Sequence, residues 1–157
     1  MCQIDEFGRK QLPHEPPWWV GPQKETFFLT VCCVERRVNH LCHEQVARTI
    51  FDVTRYYHDR AEWYVALLLL MPGHVHLLVH SPPTPGLSAV MQKWKAMVAK
   101  SAAIKWQRDF FDHRLRSDQG CLEKDSYMRA NPVRAGLIEP GGDWPWIWER
   151  DPNGWHC

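Results

Sequence analysis

Apolar positions along this chain follow a strand-like period in some stretches and a helix-like one in others, and each switch marks a predicted element. Residues 25–34 (ETFFLTVCCV) are rich in aromatic and β-branched types and predict a strand. Over 43–58, Val46, Ile50, Val53 and Tyr57 recur at helical spacing and predict an amphipathic helix. The nearly continuous apolar run 62–71 predicts a central buried strand, which Pro72-Gly73 ends. A second strand follows over 74–80 (HVHLLVH). After the Pro-rich stretch 82–86, residues 87–104 place Leu87, Val90, Met91, Trp94, Met97 and Val98 on one helical face. Residues 107–116 predict a further strand. Residues 119–130 predict a last helix, with Leu122 opening its apolar spacing and Asn131-Pro132 closing it, because a residue before proline is pushed out of helical geometry.

Strand, helix, strand, strand, helix, strand, helix is the split β-α-β pattern of ferredoxin-like folds. The fold class expected is α+β: an antiparallel sheet with helices on one face and a further C-terminal helix. The organisation expected is an N-terminal arm over 1–24, marked by Pro13, Pro16, Pro17 and Pro22, a body over 25–140, and a Trp-rich tail over 141–157 without clear period. Trp18 and Trp19 in the arm suit either base stacking or fastening the arm to the body.

Composition narrows this. A length of 157 residues fits one domain with a genuine core. The apolar run Val65 to Met71 is too short to span a bilayer, so no membrane role is expected. The six cysteines include no C-x-x-C pair, which disfavours a zinc ribbon, and adjacent Cys32 and Cys33 point to opposite strand faces. Reduced thiols and a cytoplasmic location follow as the expectation. Net charge is only +1, but Lys93, Lys95, Lys100, Lys105, Arg108, Arg114 and Arg116 stand against Asp109 and Asp112 alone in one stretch. Such a stretch is a candidate phosphate-backbone footprint.

Two groups of residues carry chemistry. His74 and His76 alternate on one strand face, with Cβ atoms about 6.6 Å apart, so their imidazoles can converge on one ion. Val75, Leu77 and Val79 go to the other face and anchor the strand. An isolated H-x-H is more often a surface pair than a metal site, and His80 shares the same face without being favoured as a ligand. Tyr127 and Asn131 lie four residues apart on one helical face. A phenol can act as a covalent nucleophile, and an amide oxygen suits a hard divalent ion, Mg2+ or Mn2+.

Three runs in this order, YVALLLLMPGHVHLLV, WQRDFFDHRLRS and EKDSYMRANPVRAGLIEP, resemble the REP-associated tyrosine transposases, a branch of the single-tyrosine HUH transposases of bacterial insertion sequences. The opening QLPHEPPWWV followed by FFLTVCC is similar as well, so the resemblance covers about residues 10–148. It implies a bacterial enzyme that cuts and rejoins single-stranded DNA near palindromic hairpins through a 5′-phosphotyrosine intermediate. It implies His74, His76 and Asn131 as ligands of a divalent metal and Tyr127 as the nucleophile. It further implies a monomer, where the wider insertion-sequence branch uses dimers whose tyrosine acts on the partner's site. Gly120, shortly before Tyr127, is read as marking the start of the helix. For DNA contacts the candidates are Lys93, Lys95, Lys100, Arg108, Arg114, Arg116 and Arg134, with Arg134 in the loop after Pro132. Trp94, on the apolar helix face, reads as core rather than as a stacking platform. Two other functions remain open: a domesticated hairpin-binding protein without cleavage, and a structural metal site in an unrelated ferredoxin-like protein.

Overall fold

The computed structural model describes residues 25–150; the arm 1–24 with Trp18 and Trp19, and residues 151–157, lie outside the described residues. The order is β1 (Thr26–Cys32), α1 (Glu44–Asp59), β2 (Tyr64–Met71), β3 (His74–His80), α2 (Leu87–Ala102), β4 (Phe111–Leu115), α3 (Asp118–Arg134) and β5 (Ile147–Glu149). All the strands join one antiparallel sheet in the order β4-β1-β3-β2-β5. This is the α+β split β-α-β sandwich that the pattern predicts.

The alternation of each strand divides its side chains between two layers. Leu29, Val31, Val65, Leu68, Leu70, Val75, Leu77 and Val79 meet α1 and α2 on one face of the sheet. There Trp94 is fully buried and its Nε1 donates to Thr54 Oγ1 at 2.9 Å, so it is a core residue. Phe28, Leu67, Leu69, Met71, Leu78 and Leu115 meet Cys121 and Met128 of α3 on the opposite face. Burial on both faces is why β2 reads as an unbroken apolar run. Alternation also separates the adjacent thiols: Cys33 enters the α1/α2 core, while Cys32 lies opposite His74 on the α3 face. Cys32, Cys33, Cys42 and Cys121 are all free thiols. No helix among the described residues is long and apolar enough to cross a membrane.

Three local expectations are corrected. The last helix does not stop at Asn131-Pro132 but runs on to Arg134. Proline lacks a donor and its ring crowds the carbonyl one turn earlier, but only Val133 and Arg134 of the helix follow it. The carbonyls of the last turn are satisfied by the N–H groups of Ala135 (to Asn131, 2.9 Å), Gly136 (to Val133, 3.0 Å) and Leu137 (to Pro132, 2.9 Å). Arg134 is therefore helical rather than in a loop. Leu122 does not open the apolar face; it is exposed, and Cys121, Met128 and Pro132 are the buried residues of α3. The helix starts at Asp118, where Ser117 caps it by accepting from the Gly120 N–H at 3.1 Å.

The stretch after Gly141, which lacked a readable period, supplies β5 on the free edge of β2. It is held by Leu70 N–H donating to Trp146 O at 2.8 Å and Trp144 Nε1 donating to Leu70 O at 3.0 Å. Arg129 then joins α3 to this edge, bonding Asp125 on its own helix and Glu149 on β5, each at 2.7 Å.

Candidate active site

The histidine pair is built by β3. Both rings rise from the α3 face of the sheet, and the two Nε2 atoms converge to 3.2 Å with the ring planes nearly perpendicular. His76 is buried and fixed from two sides. Thr30, its cross-strand partner on β1, places Oγ1 3.0 Å from Nδ1, and the Phe28 ring stacks on the imidazole at 5.2 Å. Burial drives the His76 pKa down to about 3, helped by His74 and, less strongly, by the cations of Arg134 and Lys124, while a hydrogen bond to the Leu29 backbone opposes the shift. Burial, then the Arg36 cation, also lowers His74. Both imidazoles are thus neutral at pH 7 and keep a lone pair to donate.

The donor set fits a metal. Two neutral imidazole nitrogens 3.2 Å apart are close enough to serve neighbouring positions on one ion. The hydroxyl of Thr30 behind His76 has the place of an outer partner that orients a ligating ring. Among the described residues no third His, Cys, Asp or Glu joins a metal-holding group with the pair. His80, four residues beyond His76 on the same face, is turned to Thr26, whose Oγ1 lies 2.9 Å from its Nδ1.

Helix α3 lies across this face. Because it continues through Pro132, Lys124, Tyr127, Asn131 and Arg134 fall at spacings of three, four and three and share one helical stripe. Met128 and Cys121 beside that stripe sink into the sheet and set its height. The Tyr127 ring meets the His76 ring edge-on at 6.3 Å and the Phe28 ring edge-on at 6.1 Å, yet remains 41 % exposed, so a substrate can reach it. Lys124 Nζ sits 4.7 Å above the Phe28 ring and 5.1 Å from the Tyr127 ring. The Arg134 guanidinium lies 4.0 Å over the Tyr127 ring and donates through Nη2 to Tyr127 O at 3.1 Å and to Asn131 Oδ1 at 3.3 Å. Two imidazoles, a phenol, an amide and two cations are therefore gathered on one side of the sheet within one chain.

The basic stretch 93–116 is distributed differently from its sequence. Lys93, Lys95 and Lys100 ride on α2, across the sheet from the histidine pair. Lys93 is paired with Glu62 at 2.9 Å, and Lys95 donates to the carbonyls of Gln107 and Arg108 at 2.7 and 2.8 Å. Lys100 is exposed on that helix. Arg108 lines a groove of about 310 Å³ with Lys95, Asp109 and Phe110. Arg114 opposes Phe27 and is paired with Glu25 at 2.7 Å. Arg114 and Arg116, with His113, Ser117 and Gly120, line a groove of about 510 Å³ at the start of α3. These cations form no single track towards Tyr127. The nearest cations, Lys124 and Arg134, come from α3, with Arg36 acting on His74 from the loop after β1. Lys124 and Arg36 escaped the reading by charge density, although the spacing of Lys124, one turn before Tyr127, pointed to it.

The sequence model of the IS200-like transposase family matches residues 26–128, a span that holds both histidines and Tyr127. The chain belongs to this family. Among its relatives, a putative REP-associated tyrosine transposase of Haemophilus influenzae is 23% identical over 140 residues, covering 76% of this chain and 77% of the relative. The REP-associated tyrosine transposase of Escherichia coli K12 is 26% identical over 125 residues, covering 76% and 73%. The fold is similar to that of a solved REP-associated tyrosine transposase bound to a REP hairpin, with a TM-score of 0.66 at 23% identity, covering 79% of this chain and 76% of that one. A putative transposase from Deinococcus radiodurans R1 is similar with a TM-score of 0.51 at 16% identity, covering 73% and 95%. These matches agree with the resemblance carried by the three sequence runs. A transposase of this family is an enzyme of DNA cutting and joining.

Proposed function

We propose that this IS200-like transposase is a metal-dependent nicking and strand-transfer enzyme for single-stranded DNA beside palindromic hairpins, with Tyr127 as its nucleophile. The observation that carries the reading is the approach of the Tyr127 ring to within 6.3 Å of the His76 ring in the same chain. His74 and His76 hold a divalent ion, Mg2+ or Mn2+, with Asn131 as the third protein ligand. When bound, that ion polarises the phosphate under attack. Tyr127 Oη attacks the phosphorus and loses its proton. The bond to the 3′ oxygen breaks, that oxygen takes up a proton, and the DNA end stays attached as a 5′-phosphotyrosine. Attack by a 3′-hydroxyl reverses these changes and releases the phenol, so rejoining needs no nucleotide cofactor.

Lys124 and Arg134 flank the ring and neutralise the charge of the phosphate brought to it. The tyrosine is supplied in cis, so a monomer suffices, acting in the bacterial cytoplasm on chromosomal hairpins. The hairpin assignment is supported by the solved relative whose partner is a REP hairpin. The catalytic unit is the body 25–140 extended by the β5 edge.

The test is incubation with hairpin oligonucleotides carrying single-stranded flanks, in the presence of Mn2+. Wild type is expected to form a covalent adduct that survives denaturing electrophoresis. Tyr127→Phe is expected to lose the adduct and keep hairpin binding. An adduct formed by Tyr127→Phe refutes the nucleophile. Binding without cleavage by wild type, under either metal, favours a domesticated hairpin-binding protein.

A further inference from the structure

Strand β4 leaves one aromatic ring uncovered beside the site. Phe110 turns to the α1/α2 side and packs against that core, and Leu115 is buried on the α3 face, so the strand is fixed at both ends. Between them Phe111 and His113 lie opposite Thr30 and Phe28 of β1 and stay exposed, Phe111 at 60 %. A single exposed Phe is ordinary on a protein surface, but this one has a particular place. Phe111 is the cross-strand partner of Thr30, and Thr30 is that of His76, whose Nδ1 lies 3.0 Å from the Thr30 hydroxyl. Cross-strand partners share a face, so Phe111, Thr30 and His76 form one row on the face that carries Tyr127. Two strand spacings, about 9.6 Å in all, separate Phe111 from His76 along that row. In the next row along β1, Lys124 Nζ sits 4.7 Å above the Phe28 ring and 5.1 Å from the Tyr127 ring. Because β4 ends the sheet, no further strand flanks the ring among the described residues.

Single-stranded DNA is held by cations on its phosphates and by aromatic rings on which its bases stack. Lys124 and Phe111 supply one of each on the same face, in neighbouring rows. The surroundings suit a base better than a second protein chain: Phe111 is the only large apolar side chain exposed along β4, and His113 and Lys124 near it are polar or charged. We propose that Phe111 is the stacking platform for one unpaired base adjoining the phosphate attacked by Tyr127, and that it thereby fixes which nucleotide of the flank is presented for cleavage. The inference rests on the reading of Tyr127 and the histidine pair given above.

The test is equilibrium binding of a DNA hairpin with single-stranded flanks to the full chain, read by fluorescence anisotropy without divalent metal so that no strand is cut. Flank bases are removed one at a time as abasic sites. In wild type, one position is expected to weaken binding about fivefold or more, the lower end for one lost base–aromatic stack. Phe111→Ala is expected to weaken binding of the intact DNA by the same factor, and the abasic site then costs nothing further. Phe111→Trp is expected to keep the affinity. Phe111→Leu, apolar but without a π face, is expected to lose it as the alanine variant does. Urea unfolding of both weak variants should match wild type, because the ring is exposed; where the alanine variant unfolds, the leucine variant carries the comparison. With Mn2+, Phe111→Leu is expected to spread its cuts over neighbouring phosphates. Abasic losses equal in wild type and variant at every position overturn the proposal. So do a leucine variant that binds as well as the tryptophan one and cuts confined to the wild-type phosphate. A loss of affinity that follows the dissociation of a dimer makes the ring a contact between copies and overturns it too. The adduct assay separates the two readings. A Tyr127 adduct with no flank position that depends on Phe111 removes the platform and leaves the nucleophile standing. A Phe111-dependent position in a wild type that forms no adduct under either metal leaves the base stacking in place and removes the nicking reading.

Discussion

His58 closes α1 and is buried under the start of β2, where its Nδ1 accepts the Val65 N–H at 3.1 Å. Burial, with a smaller contribution from the Arg150 cation and against the opposing pull of Asp59, lowers its pKa from 6.5 to about 4. Burial lowers His80 to about 4 as well, and His76 reaches about 3. A base whose folded pKa is depressed is charged first in the unfolded chain. Its stabilising contribution is therefore complete above the unfolded value near 6.5 and is lost as pH falls towards the folded value. For His58 the shift corresponds to about 3 kcal/mol, and each such proton adds a slope of about 1.4 kcal/mol per pH unit. The three histidines together approach roughly 4 kcal/mol per unit between pH 6 and pH 5, against a total stability of about 5–15 kcal/mol for a domain. Steep acid destabilisation is expected well above the range where carboxylates titrate. The perturbation is His58→Gln, whose amide oxygen can still accept the Val65 N–H. Urea unfolding at several pH values from 7.5 to 5 measures it. The variant should lose about a third of the wild-type slope between pH 6 and 5. A variant slope equal to that of wild type would refute the assignment of a buried neutral imidazole to His58.

Other outcomes test the site. Lys124→Gln is expected to weaken binding of single-stranded DNA and to lower the dependence of log affinity on log salt by about one contact, read by fluorescence anisotropy at several salt concentrations. Lys93→Gln, on the far face and paired with Glu62, is expected to change neither quantity; an effect as large as that of Lys124→Gln would restore a DNA track along α2. Gly73→Ala places a Cβ 2.1 Å from the Arg36 carbonyl oxygen, which is backbone and cannot swing aside. A loss of about 3 kcal/mol by urea unfolding is expected, together with weaker Mn2+ binding as the turn before His74 shifts.

Much of the architecture was legible because it depends on local periodicity. The alternation of β3 put His74 and His76 on one face and Val75, Leu77 and Val79 on the other, and the unbroken run in β2 required burial on both sides. Helical spacing likewise grouped Tyr127 with Asn131 and placed Trp94 in the core. Other features needed the assembled molecule. β5 is a three-residue strand too short to show a period, and it exists because the edge of β2 offers unpaired backbone groups. Pro132 stays helical because the N–H groups of Ala135, Gly136 and Leu137 close the last turn, a balance that a rule about one dipeptide does not contain. Which cations of the basic stretch lie on the same side as Tyr127 needed the assembled molecule, since α2 and α3 lie on opposite faces of the sheet. The approach of the Tyr127 ring to the imidazoles is likewise a tertiary fact. It depends on Met128 and Cys121 sinking into the sheet and on Arg129 joining α3 to Glu149 of β5, contacts between segments whose distance along the chain carries no information about their distance in space.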